Sequence, residues 1–325
     1  MKFGNLILTS VWAGIVAAAT ATAGLAAETD LRLAHVFNTD HPVHKGMAQA
    51  AEQLEVRTSG RYGLEIFPSG TFANYKDAVR AVRLGTLDFA PIDTAIDYLP
   101  ESGVLLAPYT FRDYKHWSNF KESPVYDELL ADISEAVGVQ QLALYTFGFR
   151  SVTTKGRPAS TPEEFKNLKL RVVNFPPYPE AATVLNATGT PLPIGDVYLG
   201  LSSGVVDGQE NPFNQILSMK FYEVQDYLIL TNHILTTSGI AMSDRAWSKL
   251  SEEDKVVFTD VFAEAGLTID RLVIEEEKAQ FDELVNKHGM KPVEVDRSLF
   301  MARAPEILNR YPEFQDLYAK IQSIK

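Results

Sequence analysis

Short runs of apolar and β-branched residues alternate along the chain with stretches in which apolar positions recur every three or four residues. The runs Leu31–Phe37 and Lys169–Phe175 are typical of strands, and Pro42–Arg57, followed by Gly60, is typical of an amphipathic helix. Strands that alternate with helices in this way favour βαβ units. The pattern therefore predicts an α/β fold with largely parallel sheets.

One predicted helix is longer than the others. No proline interrupts Ser251–His288, and its apolar residues recur alternately four and three positions apart. Ser251 with Asp254 resembles a capping box, and Gly289 is a suitable stop. A helix of this length would exceed about 50 Å at 1.5 Å per residue, which is enough to brace two domains. Two shorter helices that break near Gly266 are the alternative.

The first residues have the three parts of a secretory signal peptide. Lys2 supplies a positive start, the run "LILTSVWAGIVAAA" supplies an apolar core, and small residues surround a cleavage site that we place after Ala26. No later run approaches the roughly 18 apolar residues of a membrane span. We therefore predict that residues 1–26 are removed and that the mature protein is soluble in the periplasm, with no membrane insertion.

Composition excludes several classes of protein. The formal net charge of -12 argues against nucleic acid as a partner, because that affinity depends on Lys and Arg neutralising phosphates. The chain has 0 cysteines, which rules out disulfides and thiolate metal sites. With 325 residues, the chain has room for one large or two medium domains. Its stability must come from hydrophobic cores.

Two arginines stand in strand patterns. Alternation places Leu170 and Val172 on one face of a strand and Arg171 on the other, where a buried guanidinium needs a partner. That partner is either a protein carboxylate or the carboxylate of a ligand gripped by the planar fork. Arg150 ends the predicted strand "LALYTFGFR" and lies either at an ordinary solvated strand end or at the mouth of a cleft.

No catalytic or metal-binding constellation emerges. His41 and His44 are three residues apart, but no further metal ligand stands near them in sequence. His35 and Asn38 lie at the end of the first predicted strand, where pocket and surface are equally expected. The pair Asp93 and Asp97 is compatible with glycosidase chemistry, yet nucleophile, zinc and phosphate-loop motifs are absent from the sequence. We predict no cofactor and no metal.

Several segments, in order and spacing, resemble the solute-binding proteins of tripartite ATP-independent periplasmic (TRAP) transporters. The resemblance runs from about Leu31 to the carboxyl end, and the stretch "VDGQENP" followed by "KFYEVQ" is its most specific part. The other segments that carry it are "FNTDHPVHKGM", "FPSG", "LGTLDFA", "GFRSVTTKGRP", "TPEEFKNLKLRVV", "VYLGLSSG" and "DYLILTNHI".

The resemblance implies a binding site for a carboxylate. Arg171 matches the arginine that forms the main salt bridge to the ligand carboxylate, Arg150 matches a second positive contact, and Asn211 matches an asparagine that hydrogen-bonds the same group. The turn 204–216, which reads either as a solvated loop or as a ligand-facing one, is then ligand-facing. Gly208 permits a close approach there.

The second wall of the implied site departs from the family pattern and leaves the ligand open between a sugar acid and a smaller, partly apolar acid. The residues that we predict for that wall and for the rest of the site are Asp93, Asn74, Tyr75, His35, Asn38 and Gln215.

The family fold has two α/β lobes, a cleft between them and a long helix that crosses both. On that basis we predict a first lobe of residues 28–148 and 236–276 and a second lobe of residues 149–235 and 277–325. The implied function is non-catalytic: a monomer captures an organic acid anion, closes around it and delivers it to membrane permease subunits. The alternatives are an exported enzyme for an acidic sugar, with Asp93 or Glu210 as acid or base, and a chemosensory ligand-presenting protein.

Overall fold

The computed structural model describes Met1 and residues 29–92 and 95–325. The predicted signal peptide after Met1 and the candidate ligand residue Asp93 lie outside the described residues. Within these ranges, no helix is both long enough and apolar enough to cross a membrane.

The described residues form nine strands of one mixed sheet. They are β1 (Thr29–Ala34), β2 (Tyr62–Phe67), β3 (Phe89–Ile92), β4 (Val139–Thr154), β5 (Lys169–Val172), β6 (Thr188–Pro191), β7 (Gly208–Asn211), β8 (Tyr227–Ser243) and β9 (Lys291–Val293). Their order is β2-β1-β3-β8-β4-β7-β5-β6, with β9 beside β8.

Thirteen α-helices cover the sheet in the described ranges. They are α1 (Pro42–Arg57), α2 (Tyr75–Arg83), α3 (Tyr114–Lys121), α4 (Pro124–Val137), α5 (Pro162–Phe165), α6 (Glu180–Leu185), α7 (Ile194–Ser203), α8 (Phe213–Ser218), α9 (Asp244–Trp247), α10 (Glu252–Asp282), α11 (Arg297–Met301), α12 (Pro305–Leu308) and α13 (Gln315–Ser323). Three 3₁₀ turns (Pro100–Leu106, Phe221–Glu223, Pro312–Phe314) and one π turn (Glu283–Lys287) complete the regular structure.

Two long central strands hold the molecule together. β4 and β8 are 16 and 17 residues long and pair antiparallel from Val139 opposite Ser243 to Thr154 opposite Tyr227. One end of β8 also pairs with β3, and the other end pairs with β9. The sequence predicted largely parallel sheets, and this is only partly correct, because β3–β8, β4–β8 and β4–β7 are antiparallel.

The pairing of β4 with β8 is interrupted three times, and one interruption contains a glycine with a special backbone. The register shifts between Gln141 and Ala143, between Thr146 and Gly148, and between Arg150 and Val152. Gly148 has φ of 106°, a conformation that residues with a Cβ rarely adopt.

The long helix is continuous, as predicted, and it passes through Gly266 without a break. α10 has 31 residues, and the side chain of Ser251 accepts a hydrogen bond from the amide of Asp254 at its start. A Cβ on Gly266 would lie 3.1 Å from the carbonyl oxygen of Leu144. Glycine at this position therefore brings the helix close to β4 and does not end it.

Separate hydrophobic cores lie on the two sides of the molecule, and α10 contributes to both. Phe258 and Phe262 pack with the residues of β1, α1 and β3, whereas Phe281, near the end of α10, packs against a cluster around Phe221 and Leu284. The helix thus braces both lobes. A further cluster around Phe165 and Leu170 supports β5.

The boundaries of the two lobes stay a prediction, but the packing places the carboxyl-terminal residues differently from the sequence prediction. The sequence assigned 277–325 to the second lobe, but Phe314 and Ile321 are buried in the same cluster as Trp117 and Phe120. His116 Nε2 also lies 3.0 Å from the carbonyl oxygen of Ile321. The chain therefore returns to the first lobe at its carboxyl end.

Candidate functional site

Three adjacent strands bring together the residues at the centre of the predicted site. β7 lies between β4 and β5, with Asn211 opposite Ser151 and Gln209 opposite Arg171. Arg150, next to Ser151, was expected at the end of a strand, but β4 continues to Thr154. This arginine is 4% exposed, so the interpretation of a solvated strand end is wrong.

Arg171 is a buried cation without a carboxylate partner among the described residues. Its Nε and Nη2 donate to the carbonyl oxygen of Leu192 at 2.9 and 2.7 Å. Its Nη1 is also buried and has no hydrogen-bond partner in the described part of the chain. The alternative prediction of a structural salt bridge to a protein carboxylate is therefore wrong for Arg171 in this structure.

The electrostatic surroundings of Arg171 agree with this geometry. Burial lowers the pKa of Arg171 to about 10; the charge of Glu210 opposes the shift, and the charge of Arg150 adds to it. The guanidinium stays protonated at neutral pH because this pKa is well above 7. A positive charge thus sits in the interior with one nitrogen, Nη1, that has no acceptor among the described residues.

Arg150 has a different environment, because a protein carboxylate already neutralises it. Its Nη2 lies 2.9 Å from Oε1 of Glu210, its Nε also donates to that carboxylate, and its guanidinium lies 5.0 Å from the ring of Tyr178. Because the ionised carboxylate of Glu210 can only accept, His233 Nε2 donates to it at 3.2 Å, and Nδ1 of the neutral ring then accepts from the hydroxyl of Thr231.

This pairing keeps Glu210 ionised. Burial alone would raise the pKa of Glu210, but the charge of Arg150 and hydrogen bonds from His233 and Arg150 lower it to about 2. Glu210 therefore has no proton to donate near neutral pH, and its oxygens are occupied. The geometry does not favour the alternative in which Glu210 acts as a catalytic acid or base.

A relay of hydrogen bonds orients Asn211. Its Oδ1 accepts from Arg150 Nη2 at 3.0 Å, and its Nδ2 donates to Gln209 Oε1 at 2.6 Å. Gln209 in turn donates to Thr153, which donates to Gln225. The amide of Asn211 is thus held with its NH₂ group on the side away from Arg150.

Gly208 is required by strand packing. A Cβ at this position would lie 2.3 Å from the carbonyl oxygen of Thr153 on β4. The close approach that the sequence suggested is present, but the neighbour is a strand of the same sheet. Gly208 therefore sets the spacing of β4 and β7, which carry Arg150 and Asn211.

A cavity of about 300 Å³ lies beside these residues. Polar groups and aromatic rings share its wall, which combines residues from β1, α2, β3, β4, β7, α8 and β8 and from the loop before α1. The lining residues are Ala34, His35, Val36, Phe37, His41, Tyr75, Ala78, Pro91, Phe147, Arg150, Asn211, Pro212, Asn214, Gln215 and Thr236.

Hydrogen bonds fix the proton on His35, one of the lining residues. Its Nδ1 accepts from the amide of Phe37 at 3.2 Å, and its Nε2 lies 3.1 Å from Nδ1 of His44. His35 Nε2 is therefore the donor in the neutral ring. Burial, with the nearby His44 and His41, lowers the pKa of His35 to about 4.

A second, larger cavity of about 670 Å³ adjoins the first, with Arg150 and Tyr75 at the boundary. Its wall is mainly apolar and basic. It is lined by Tyr75, Lys76, Val79, Arg80, Arg83, Ile92, Asp97, Tyr98, Val137, Arg150, Val173, Phe175 and Tyr178. Val173 follows Arg171 by two residues, which puts the end of β5 at this cavity.

The other predicted site residues are placed as follows. His35, Tyr75 and Gln215 line the first cavity. Asn74 is exposed and caps α2, accepting from the amide of Asp77 at 3.1 Å. Asn38 is exposed and accepts from Ser69 at 3.2 Å. The roles of all five with a ligand stay predictions, as do those of Arg171, Arg150 and Asn211.

Phe147, Asn214 and Thr236 are among the residues at the cavity that were not anticipated from the sequence. The hydroxyl of Thr236 is buried and has no partner in the described residues. Proximity to "GFR" and "QENP" was a usable signal for Phe147 and Asn214. No local signal distinguishes Thr236, because β8 carries many threonines and serines. Within the described ranges no group of three His, Asp or Glu side chains is arranged to hold a metal ion.

The fold and the site define a two-lobed solute-binding protein with a cleft beside its two long central strands, β4 and β8. The sequence model of "Bacterial extracellular solute-binding protein, family 7" matches residues 33–313. The chain belongs to this family of extracellular solute-binding proteins.

Relatives agree with this assignment. The 2,3-diketo-L-gulonate-binding periplasmic protein of Escherichia coli is 30% identical over 92% of this chain and 91% of its own length. A TRAP periplasmic solute-binding protein of a Polaromonas species, bound to D-erythronate, has a TM-score of 0.80 at 30% identity and covers 91% of this chain and 99% of its own. Another, from Xanthobacter autotrophicus with bound β-D-galacturonate, has a TM-score of 0.79 at 26% identity, with 91% and 100% covered.

Proposed function

We propose that this chain captures an organic acid anion by a carboxylate group in the periplasm and delivers it to the permease of a TRAP transporter. One observation carries the proposal. The buried guanidinium of Arg171 pairs with no carboxylate among the described residues, and its Nη1 lacks an acceptor there.

A ligand carboxylate meets the physical requirement of Arg171. A buried cation is stable only when a counter-charge or hydrogen-bond acceptors compensate it. The carbonyl oxygen of Leu192 accepts hydrogen bonds from two N–H groups of Arg171 but carries no formal charge. A carboxylate at Nη1 supplies both the charge and the missing acceptor.

Arg150 and Asn211 assist Arg171 in this proposal. Because Glu210 already balances the charge of Arg150, Arg150 contributes directed N–H groups and orients Asn211 more than it contributes net charge. One N–H of Asn211 Nδ2 already donates to Gln209, and the other is the one that we expect to hydrogen-bond the same carboxylate. Arg171 is not among the lining residues of either cavity, so in this proposal the ligand lies at the boundary of the two cavities, where Arg150 and Tyr75 line both, and its carboxylate reaches inward to Arg171.

The ligand class that we propose is a sugar acid such as a hexuronate, or a small mono- or dicarboxylate. The relatives support it, since D-erythronate and β-D-galacturonate are both hydroxylated carboxylates. Capture includes closure of the lobes about β4 and β8. The bulge at Thr146 and Gly148 supports a hinge there, because the strands deviate from regular pairing at that point.

The test begins with a thermal-shift screen of the mature protein against hexuronates, aldonates, sialic acid, four-carbon diacids, 2-oxo acids and aromatic acids. A ligand at a hundredfold its dissociation constant stabilises the protein by about 2.7 kcal/mol. Calorimetry with the best ligand then compares Arg171→Ala and Arg171→Lys with the wild type.

We expect Arg171→Ala to weaken binding by about 2–5 kcal/mol, because the carboxylate loses its partner inside a closed cleft. Arg171→Lys should also bind poorly, since an ammonium lacks the planar fork. Arg303→Ala is the matched control: Arg303 also donates to two backbone carbonyls in the second lobe, those of Val184 and Thr183. Wild-type affinity in Arg171→Ala would refute the proposal.

Different measurements distinguish this proposal from the exported enzyme and from the chemosensory ligand-presenting protein. Recovery of the bound acid chemically unchanged after long incubation supports a binding protein, whereas turnover supports the exported enzyme. Uptake of the acid into cells that express the chain with its permease supports transport, and a chemotactic response without uptake supports the ligand-presenting alternative.

A further inference from the structure

The second cavity has a basic wall on α2. Lys76, Arg80 and Arg83 all line it, and their spacing of four and three residues places them on one face of the helix. Asp97 is the only acidic residue among its described lining residues. The net charge of this wall is therefore positive, whereas the net charge of the chain is -12.

Two of these three cations are available. Arg83 is engaged: its Nε donates to the carbonyl oxygen of Val137 at 2.9 Å, and its guanidinium lies over the ring of Tyr98 at 4.2 Å. Lys76 and Arg80 are exposed to the cleft, and neither forms an ion pair with a described residue. An exposed unpaired cation on a surface is ordinary, but here two face a cavity of about 670 Å³.

Another part of the wall of this cavity follows the strand that carries Arg171. Val173, Phe175 and Tyr178 follow β5, the strand of Arg171, and line the same cavity. Tyr178 also lies over Arg150 at 5.0 Å. The lining of this cavity therefore combines the guanidinium of Arg150, several apolar and aromatic side chains, and two exposed cations of α2.

From this arrangement, and resting on the proposed function, we infer that the preferred ligand is a dicarboxylate with an apolar or aromatic body. One carboxylate binds at Arg171, Arg150 and Asn211. The body lies against Phe175, Tyr178 and Val79, and the second carboxylate pairs with Lys76 and Arg80. The hydrogen-bonding groups of the first cavity are not required for the second carboxylate.

Matched ligand pairs test this inference by calorimetry. Adipate is compared with hexanoate, and terephthalate with 4-methylbenzoate, because each pair keeps the body and changes the second charge. Galacturonate serves as a hydroxylated monocarboxylate. The proteins are the wild type, the double variant Lys76→Gln/Arg80→Gln, Arg171→Ala, and Lys249→Gln as a control for an exposed charge outside the cavity.

We expect at least one dicarboxylate to bind about tenfold or more tightly than its matched monocarboxylate, equivalent to about 1.4 kcal/mol. The double variant should remove that advantage and leave the monocarboxylate affinity unchanged, and Lys249→Gln should keep it. The preference for the dicarboxylate should also fall as salt rises from 50 to 300 mM, because the ion pairs of Lys76 and Arg80 with the second carboxylate are partly solvated.

The outcomes distinguish this inference from the proposed function. If galacturonate or a monocarboxylate binds best, with loss in Arg171→Ala and no effect of the double variant, the dicarboxylate inference is refuted and the carboxylate proposal stands. The inference is also refuted if dicarboxylates bind equally well to the double variant. If no acid binds, or Arg171→Ala has no effect on any of them, both are refuted.

Discussion

Arg150 and Glu210 form a buried two-point pair across adjacent strands, with Arg150 Nη2 2.9 Å from Glu210 Oε1 and Arg150 Nε donating to Oε2. Both side chains are almost fully buried, at 4% and 0% exposure. The two arginines of the site therefore differ in how their charges are compensated. The charge of Arg150 is balanced by a carboxylate of the protein, and the charge of Arg171 is not balanced by any carboxylate of the described residues.

Replacing Glu210 by Gln should destabilise the fold. The variant leaves the guanidinium of Arg150 buried beside a neutral amide, and breaking a buried pair in this way costs about 3–5 kcal/mol. Urea unfolding measures the loss. Glu252→Gln is the control, because Glu252 pairs with Lys255 at an exposed site and should change the free energy of unfolding by less than about 1 kcal/mol. Equal effects in the two variants would contradict the role of the pair.

Stability should fall on mild acidification, with His35 as one cause. The pKa of His35 is lowered from 6.5 to about 4 in the fold, so the folded state favours the neutral ring. Its contribution is complete above pH 6.5 and is lost as the pH falls from 6.5 towards 4, with a slope of at most about 1.4 kcal/mol per pH unit per proton. Protonation also places a hydrogen on Nδ1, which now accepts from Phe37.

The measurement is the free energy of unfolding at pH 7, 5.5 and 4.5 for the wild type and His35→Asn. The decline should be shallower in His35→Asn. Parallel curves for the wild type and His35→Asn would show that His35 does not contribute.

Gly208→Ala should destabilise the sheet. Its Cβ would lie 2.3 Å from the carbonyl oxygen of Thr153, so β4 and β7 must move apart, at a cost of about 1–3 kcal/mol or more. Gly195→Ala is the matched control, because nothing lies within 4 Å of the new methyl group and the residue is in α7. There the change should be neutral or stabilise by about 0.5–1 kcal/mol. A small loss in Gly208→Ala would indicate that the strands adjust freely.

Thr236→Val should separate binding from stability. The hydroxyl of Thr236 is buried and lacks a partner in the described residues, and the residue lines the first cavity. Its loss should leave the free energy of unfolding unchanged or slightly higher, while a ligand that uses it loses about 1 kcal/mol of affinity. Thr237→Val is the control: its hydroxyl is also buried and unpartnered there, but Thr237 is not among the residues of that cavity. Equal affinities in both variants would exclude Thr236 from the site.

The local pattern of the chain determined much of the fold. The bounds of α1 were predicted to the residue, and the continuous α10 and its cap at Ser251 were predicted from periodicity and capping. These features depend on neighbours within a few positions, which is the range over which helix periodicity and caps act. The signal peptide, outside the described residues, rests on the same kind of local pattern.

Tertiary structure decided what the charged and polar groups do. Alternation correctly placed Arg171 opposite Leu170, yet its lack of a protein carboxylate depends on strands far apart in sequence. Glu210 looked like a possible acid, but pairing with Arg150 and His233 from two other strands keeps it ionised. Sequence spacing cannot supply such pairings, because a pKa or a counter-ion is set by groups that only the folded sheet brings within a few ångströms.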